Sequence, residues 1–329
     1  MKIGVVGAGA VGGTLAALLD RAGHEVTVAA RGSAVDTIRE SGIRLSGGWG
    51  QHLARVEARE RIDQVQDLTV FATKAPELEA AVHANSSALG DDVLVVRNGL
   101  GARARVHDLI GPSHRVFGGL AVFAATTNDG PGIIRVTAAG PLYVGGGEGL
   151  GQLVDLLQHA LPTIQLDDLE GAEWTKLIVN QVNALPAITG WSVQQTIADP
   201  RLRRVLTLSI REAIGVARAS GVQFGELQGL SDRLLRAVVA VPLPVAELLP
   251  RRMAKRMGSV PNQGSTLQSV LRGRPTEVDW LNGAVVQAAR AVGRSAPVNE
   301  AIVEMVHEVE GAGAFLTAED VTHRISSIR

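Results

Sequence analysis

A glycine-rich hexapeptide near the N-terminus is the clearest chemical signal in the sequence. It follows a short apolar run at residues 2–6, opens a helical pattern, and reads Gly7-Ala8-Gly9-Ala10-Val11-Gly12. In a GxGxxG turn, the first glycine allows the tight turn, the second lets backbone N–H groups approach a pyrophosphate, and the third lets helix and strand pack closely. A glycine-rich turn without a ligand is the alternative, but the position between strand and helix favours dinucleotide binding.

The residue that follows the second apolar strand predicts which dinucleotide binds. Enzymes that use NAD usually carry Asp or Glu about 20 residues after the motif. Here the run 25–30 is followed by Arg31, and no acid occurs from there until Asp36. A guanidinium can hold a 2′-phosphate in a bidentate contact, whereas an acid would repel it. We therefore expect NADP(H), the alternative being that Arg31 is an ordinary solvated charge.

Lysine is scarce, so its positions are informative. Of 32 basic residues only four are lysines, namely Lys2, Lys74, Lys176 and Lys255. In a chain that uses Arg for most positive charge, a Lys suggests a compact or titratable amine. Lys74 and Asn98-Gly99 each follow a predicted strand, at the edge where parallel sheets bind ligands. The alternatives are a surface lysine at a helix start and an ordinary turn dipeptide.

Three polar residues share one face of a predicted helix in the second half of the chain. Lys176, Asn180 and Asn183 fall at i, i+4 and i+7, while the other faces are apolar. An ammonium and two amides amid buried surface are costly unless they are paired or bind a ligand. We infer a substrate site with Lys176 as general acid; the alternative is an interdomain hydrogen-bond network.

Ser265 and Glu277 lie on either side of a Gly273-Arg274-Pro275 break, which assigns them to two successive predicted helices. Taken alone, each has a plain structural explanation: Ser265 is suited to cap a helix, and Glu277 would compensate the dipole near the start of the next one. The histidines are scattered without metal-ligand spacing, and no GxSxG sequence occurs. We therefore expect neither a metal site nor a hydrolase-type serine nucleophile.

The elements that carry these residues divide the chain into two parts. Up to about residue 167 strand patterns alternate with helical ones, and residues 115–147 resemble strands joined by turns. From Glu170 onward helical patterns follow at 171–186, 194–220, 229–240, 245–257, 263–273, 275–293 and 298–312, before a looser tail. This predicts an α/β fold: a Rossmann-like doubly wound sheet with an antiparallel extension at 1–168, and an all-α domain at 169–329.

Length and composition limit the possible functions. A chain of 329 residues, 46% of them hydrophobic, can form two domains with ordinary cores. Its net charge of −1 provides no basic surface for nucleic acid or an anionic membrane. The lack of cysteine excludes disulfides and thiolate chemistry and fits a cytoplasmic protein. The first twenty residues are too glycine-rich for a signal peptide, and charges interrupt the other apolar runs, so no membrane span is predicted.

Taken in order, these motifs resemble those of the ketopantoate reductase (2-dehydropantoate 2-reductase) family. The family pattern runs from GxGxxG through a strand-end Lys and an Asn-Gly pair to KxxxNxxxN, a Ser, and TEID followed by NG. The matching pieces here are residues 7–12, Thr73-Lys74-Ala75, Arg97 to Gly101, Lys176 to Asn183, Ser265, Thr276 to Asp279, and Asn282-Gly283. The resemblance extends from residue 1 to about residue 310.

The resemblance implies NADPH-dependent reduction of the 2-oxo acid ketopantoate to pantoate, on the route to pantothenate and coenzyme A. It implies that Lys176 donates the proton to the substrate's carbonyl oxygen. Substrate contacts are implied for Asn98, Lys176, Asn180, Asn183 and Ser265, and cofactor contacts for residues 7–12, Arg31, Lys74, Asn98, Thr126 and Glu277. A monomer and a homodimer both stay open.

Three departures from the family pattern lie in the predicted substrate half. Asn183 stands three residues after Asn180 where the family has four, although both spacings stay on one helical face. The family's SMLQD ends in Ser269 here, which removes an acid, and the stretch from Gly221 to Ser265 matches poorly. These departures keep open a relative acting on another small 2-oxo or 3-oxo acid. A non-catalytic NADP(H)-binding sensor is the other alternative, but it would be expected to lack Lys176 or its helix partners.

Overall fold

The chain forms two compact units. A computed structural model describes residues 1–127, 130–258 and 260–328. The first unit comprises Met1–Arg97 and Gly101–Leu169, and the second comprises Asn98–Leu100 and the chain from Glu170 onward. In the described ranges, no helix combines the length and apolar character that a transmembrane segment needs.

An eight-stranded sheet forms the centre of the first unit. Its spatial order is β12 (Thr163–Leu166), β11 (Leu142–Gly145), β8 (Arg115–Ala121), β7 (Asp92–Val96), β6 (Leu68–Phe71), β1 (Lys2–Val6), β2 (Glu25–Ala29) and β5 (Glu57–Arg59). The strands from β8 to β5 are parallel, whereas β11 is antiparallel to β8 and parallel to β12. The chain passes from β1 to β2 on one side and later to β6 on the other. The strand order therefore reverses at β1, which confirms the doubly wound prediction.

Helices α1 to α5 accompany this sheet, and both of its faces are buried. Their bounds are α1 (Ala10–Arg21), α2 (Ser33–Ser41), α3 (Leu78–Asn85), α4 (Ala102–Ile110) and α5 (Leu150–Gln158), with 3₁₀ turns at Ala75–Glu77 and Ser86–Ala88. In β7, Leu94 and Val96 belong to one core and Val93 and Val95 to another. Because successive strand residues point to opposite faces, burial on both faces explains the continuous apolar runs of these strands.

A second, four-stranded sheet contains two of the strands in the region predicted as strands at 115–147. Its order is β4 (His52–Ala54), β3 (Ile43–Gly47), β10 (Ile133–Ala138) and β9 (Ala124–Thr126), with β10 parallel to β3. In the main sheet, β11 supplies the predicted antiparallel extension, but β9 and β10 do not join it. Strands β3, β4 and β5 were not predicted, because their sequences IRLSG, HLA and EAR lack the continuous apolar runs that identify the buried strands.

Helices make up the second unit. Their bounds are α6 (Leu169–Asn180), α7 (Ala184–Thr189), α8 (Val193–Ala198), α9 (Pro200–Ala219), α10 (Asp232–Ala240), α11 (Leu243–Ala246), α12 (Leu248–Arg256), α13 (Gly264–Leu271), α14 (Asn282–Ala291), α15 (Pro297–Ala312) and α16 (Ala318–Ser327), with 3₁₀ turns at Gln181–Asn183 and Val278–Trp280. The predicted helix 194–220 is divided, because Asp199 caps α9 through the N–H groups of Arg201 and Leu202, and Pro200 occupies its first position.

Two predictions at the C-terminal end need correction. The tail after residue 312 is not loose, because α16 begins there with a capping box in which Thr317 and Asp320 bond to each other's backbone N–H. This T-x-x-D pattern was the sequence signal that went unused. The helix predicted from residue 275 begins only at Asn282, so Glu277 lies in the connection before it and does not compensate the dipole of that helix.

Buried amides connect the helices of the second unit. The oxygen Oε1 of Gln181 accepts from Ser209 Oγ at 2.8 Å and from Asn282 Nδ2 at 2.6 Å. Asn299 Oδ1 accepts from Asn282 Nδ2 at 3.0 Å and lies 2.9 Å from Ser209 Oγ, whose single proton it shares with Gln181 Oε1, and the Asn299 amide donates to Glu212. Such a network is stabilising only when its members are satisfied, as these bonds achieve here. It ties Gln181, the residue after Asn180, to α9, α14 and α15.

Candidate functional site

The glycine motif forms a tight turn at the point where the strand order reverses. Gly7 has a φ of +105°, and a Cβ there would lie 2.9 Å from the carbonyl oxygen of Ala72. A Cβ on Gly12 would lie only 1.8 Å from the carbonyl oxygen of Gly7. Both glycines are therefore required by the fold itself, as close packing of strand and helix demands.

Gly9 differs from its two neighbours in the motif. A Cβ on Gly9 would meet no atom of the described chain within 4 Å, and its φ of −74° suits any residue. Gly9 is the N-cap position of α1, whose first turn contains no acidic residue and receives no side-chain cap from the described residues. Open space beside the N-terminus of a twelve-residue helix is what an approaching pyrophosphate needs, so the turn fits a dinucleotide.

Arg31 and Lys74 lie at the carboxyl ends of the strands on either side of β1. Arg31 follows β2 and forms an ion pair with Glu77. Lys74 follows β6 and is the N-cap residue of the 3₁₀ turn that ends at Glu77. Between β6 and Lys74, the buried Thr73 Oγ1 has no hydrogen-bond partner among the described residues. Sequence reasoning singled out neither Thr73 as a binding residue nor Glu77; position at a strand end was the available signal for both.

Asn98 and Thr126 are placed differently from the glycine motif. Asn98 belongs to the second unit, together with Leu100, which packs against the helical core. Thr126 ends β9 of the smaller sheet, where it pairs with Arg135. Asn98 thus lies in the second unit and Thr126 in the smaller sheet of the first unit. The cofactor contact expected of each residue stays a prediction.

The face of α6 that carries Lys176 is more accessible to solvent than the other faces of this helix. From Gly171 to Asn183 all residues are buried except Lys176, Val179, Asn180 and Asn183, which are partly accessible. Other polar side chains nearby are satisfied within the fold: Thr175 Oγ1, for example, donates to the carbonyl oxygen of Gly225 at 2.8 Å. The amide Nδ2 of Asn180 is buried but has no partner among the described residues. A buried donor of this kind is costly unless a ligand accepts from it.

A 3₁₀ turn accommodates the shortened asparagine spacing. Helix α6 ends at Asn180, and residues Gln181–Asn183 continue as a 3₁₀ turn. Side chains three residues apart eclipse in a 3₁₀ helix, whereas an α-helix aligns residues four apart more closely. Asn183 therefore stays beside Asn180, and its Nδ2 donates to Asn180 Oδ1 over 3.4 Å. This local change of helix type could not be read from the spacing alone.

The start of α13 lies against Asn183. Gly264 has a φ of +70°, which favours glycine, and a Cβ there would lie 2.8 Å from Asn183 Oδ1. Asn262 shapes the entry to the helix, because its Oδ1 accepts from the N–H of Gly264 at 2.9 Å. Ser265 is the next residue and is exposed, and the N-cap is Gln263, so the capping explanation for Ser265 does not hold. The structure thus brings Asn180, Asn183 and the backbone beside Ser265 together.

Glu277 acts electrostatically on Lys176. Burial lowers the pKa of the Lys176 ammonium from its usual 10.5 to about 8, although the carboxylates of Glu277 and then Glu173 raise it. The segment around Glu277 is fixed by α15: Glu310 Oε1 accepts from the N–H of Thr276 at 2.7 Å, and His307 Nε2 lies 3.0 Å from Asp279 Oδ1. Glu173, buried on α6 itself, is a further contributor that sequence reasoning missed. An amine of this kind is mostly protonated at neutral pH yet releases its proton readily.

Comparison with known proteins identifies the family. The family model "Ketopantoate reductase PanE/ApbA" matches residues 3–149, and the model of its C-terminal domain matches residues 168–310. A 2-dehydropantoate 2-reductase of Mesorhizobium japonicum is 30% identical, over 94% of this chain and 98% of the relative. The chain belongs to the ketopantoate reductase family. This confirms the resemblance inferred from the order of the motifs.

Other ketopantoate reductases match more than nine-tenths of the chain. The 2-dehydropantoate 2-reductase of Pyrococcus abyssi is 28% identical over 91% of this chain and 94% of the relative. The crystal structure of a PanE/ApbA family ketopantoate reductase from Ralstonia eutropha JMP134 matches with a TM-score of 0.81 and 30% identity, covering 95% of this chain and 99% of the other. A D-mandelate dehydrogenase with a TM-score of 0.79 and 21% identity shares the fold.

The different surroundings of Gly9 and Gly12 generate a paired prediction. Gly9→Ala is expected to leave the free energy of unfolding within about 0.5 kcal/mol of the parent, because its Cβ enters open space. Dinucleotide affinity is expected to fall about tenfold or more, since the methyl group occupies the space a pyrophosphate would enter. Urea unfolding of the unliganded protein and calorimetric titration with NADPH measure the two effects.

Gly12→Ala is the matched control. Its Cβ collides with the Gly7 carbonyl, so stability and affinity are expected to fall together. Undiminished NADPH binding by Gly9→Ala would show that the dinucleotide does not bind at this turn.

Proposed function

We propose that this protein reduces 2-dehydropantoate (ketopantoate) to pantoate with NADPH, Lys176 being the proton donor. The observation that carries the proposal is the ammonium of Lys176, whose pKa burial lowers to about 8, one helical turn from Asn180 Nδ2, which has no partner among the described residues. A ketone reduction needs a proton for the carbonyl oxygen and donors that hold the substrate. Membership of the ketopantoate reductase family supports ketopantoate as the substrate.

The first unit offers the cofactor site. The open space at Gly9 and the N-terminus of α1 suit the pyrophosphate. Thr73 Oγ1, which has no partner within the described part of the chain, lies beside the Gly7 turn. Arg31, Lys74 and Thr126 of this unit are further candidates for cofactor contacts, and the family resemblance adds Asn98 and Glu277 of the second unit. The guanidinium of Arg31 favours a 2′-phosphate and hence NADP(H) over NAD(H). When bound, the nicotinamide supplies the hydride.

The second unit offers the substrate contacts. Asn183 donates to Asn180 Oδ1, which leaves Asn180 as a donor through Nδ2 and suits it to a carboxylate or carbonyl oxygen. The hydroxyl of Ser265 can serve the terminal hydroxyl of ketopantoate, and Asn98 is a further candidate donor. A carboxylate, a keto oxygen and a hydroxyl thus each find a side chain of the required type.

The proton transfer follows from the charge of Lys176. As the carbonyl carbon gains a hydride, negative charge develops on the oxygen, and an ammonium stabilises and then protonates it. Burial makes the ammonium a stronger acid than a solvated lysine, while Glu277 and Glu173 keep it protonated at neutral pH. The neutral amine that remains takes up a proton from solvent before the next cycle.

Removal of the Lys176 amine tests its role. Lys176→Ala is expected to lower the turnover number about 10²–10⁴-fold with NADPH affinity retained, because general acid catalysis contributes that much. Lys176→Arg should rescue poorly, since a guanidinium releases its proton far less readily. In the parent protein, reductive turnover should be constant well below pH 8, fall to half near the pKa of about 8 and decrease further above it, as the ammonium loses its proton.

Lys255→Ala is the control for the loss of a lysine. Lys255 is exposed in the last turn of α12, and its removal should leave turnover unchanged. Near-normal turnover of Lys176→Ala would require another proton donor.

The substrate itself is tested against close analogues. Ketopantoate is expected to have the highest kcat/KM among 2-oxo acids that lack its hydroxyl or its geminal methyl groups. A site that hydrogen-bonds a substrate hydroxyl discriminates strongly against an analogue that lacks it. Steady-state NADPH oxidation with each acid gives the comparison. The shortened spacing of Asn180 and Asn183 favours the alternative of another small 2-oxo or 3-oxo acid, which an analogue tenfold better than ketopantoate would establish.

A further inference from the structure

A carboxylate contacts the residue assigned to the 2′-phosphate. Arg31 pairs with Glu77, and their side chains are 74% and 37% exposed, so both remain accessible to a ligand. Neighbouring acids are paired elsewhere: Asp36 lies 3.2 Å from Arg39, and Glu79 lies 2.7 Å from Arg105. Glu77 is thus the acid that contacts the Arg31 guanidinium, the group predicted to bind the 2′-phosphate of the cofactor.

Backbone hydrogen bonds hold the segments that carry Arg31 and Glu77 at the carboxyl ends of the strands beside β1, where the glycine motif lies. The N–H of Gly7 donates to the carbonyl oxygen of Ala29 at 2.9 Å, two residues before Arg31. On the other side of β1, the N–H of Ala72 donates to Val6 at 2.9 Å, and the N–H of Glu77 closes its 3₁₀ turn on Lys74 at 3.0 Å. Arg31 and Glu77 therefore extend from the two strands that flank the motif.

The chemistry of the pair has opposite consequences for the two nicotinamide dinucleotides. A 2′-phosphate that binds Arg31 must share the guanidinium with a carboxylate, and the two anions repel each other. A 2′-hydroxyl carries no charge and can donate a hydrogen bond to the carboxylate, which is how an acid favours NAD in other dinucleotide sites. In those sites the acid is at the end of the second strand, whereas here the acid is Glu77, which lies in the 3₁₀ turn after β6.

We propose that Glu77 determines the cofactor selectivity of this protein by weakening NADPH binding and strengthening NADH binding. The proposal rests on the proposed function, since it requires a dinucleotide at the Gly7–Gly12 turn. Arg31 and Glu77 then have opposite effects on cofactor binding: the guanidinium favours NADPH, and the carboxylate reduces the preference for NADPH over NADH.

The test is direct binding of both cofactors to Glu77→Gln. Removal of the charge with the shape kept should tighten NADPH about fivefold and weaken NADH about twofold to threefold, so the ratio of their dissociation constants should change about tenfold. Calorimetric titration of the full-length protein with NADPH and with NADH measures this without turnover. The NADPH change should shrink at high salt, because exposed charges are screened.

Two further variants separate selectivity from a general loss of charge. Glu79→Gln removes an exposed carboxylate that is also paired with an arginine, two residues further along, and should leave the ratio within twofold of the parent. Arg31→Ala should weaken NADPH and leave NADH nearly unchanged, which places the phosphate at this guanidinium.

An unchanged ratio in Glu77→Gln, or an equal change in Glu79→Gln, would overturn the selectivity proposal while the proposed function stands. If the parent bound neither dinucleotide, the proposed function and the selectivity proposal would both fail.

Discussion

The burial of one ammonium group is the constraint on which the second unit depends. On α6, Lys176 stands between the buried residues 171–175 and the buried Leu177 and Ile178, and burial opposes its charge. The carboxylates of Glu277 and Glu173 offset part of this cost and hold the pKa near 8. The connection that carries Glu277 is in turn bonded to α15 through Thr276 and Asp279. The protonation state of Lys176 on α6 thus depends on the connection before α14 and on α15, which are far from it in sequence.

A buried amide network joins the segment that carries Lys176 to the segment that follows Glu277. Gln181 follows Asn180, and Asn282 begins the helix after Glu277, so their 2.6 Å hydrogen bond joins the two segments that interact electrostatically. Ser209 and Asn299 complete the connection and leave neither amide oxygen unpaired. Interactions in such a network strengthen one another where water is excluded. A general acid needs this support, because a small displacement of its carboxylate partner changes its pKa.

Much of the first unit could be predicted from sequence because its physics is local. The strand, glycine turn and helix at residues 2–21 follow from composition and order alone, and so does the reversal of strands at β1. The strands at 43–59 and the second sheet could not be predicted, since they are short and β10 pairs with β3, a distant segment. Glu77 was missed for a related reason: its partner Arg31 is on another strand.

In the second unit, the sequence identified the polar face of α6 but not its geometry. The spacing of Asn180 and Asn183 is one residue shorter than in the family pattern, and the structure accommodates it with a 3₁₀ turn in which their amides lie 3.4 Å apart. Glu277 looked like a helix-start acid because Pro275 suggested an early helix, whereas α14 begins at Asn282. The dependence of Lys176 on Glu277 is a tertiary interaction between groups 101 residues apart in the chain, so no local pattern encodes it.

The most direct test of this account is a titration of the Lys176 amine itself. With only four lysines, protein labelled with ¹³C-lysine gives few Cε signals, and Lys176→Arg identifies the one of interest. The account predicts a midpoint at a pKa of about 8 in the parent and a lower midpoint in Glu277→Gln, since the Glu277 carboxylate raises this pKa. A midpoint near 10.5, or one that Glu277→Gln leaves unchanged, would contradict the assignment of Lys176 as a buried general acid controlled by Glu277.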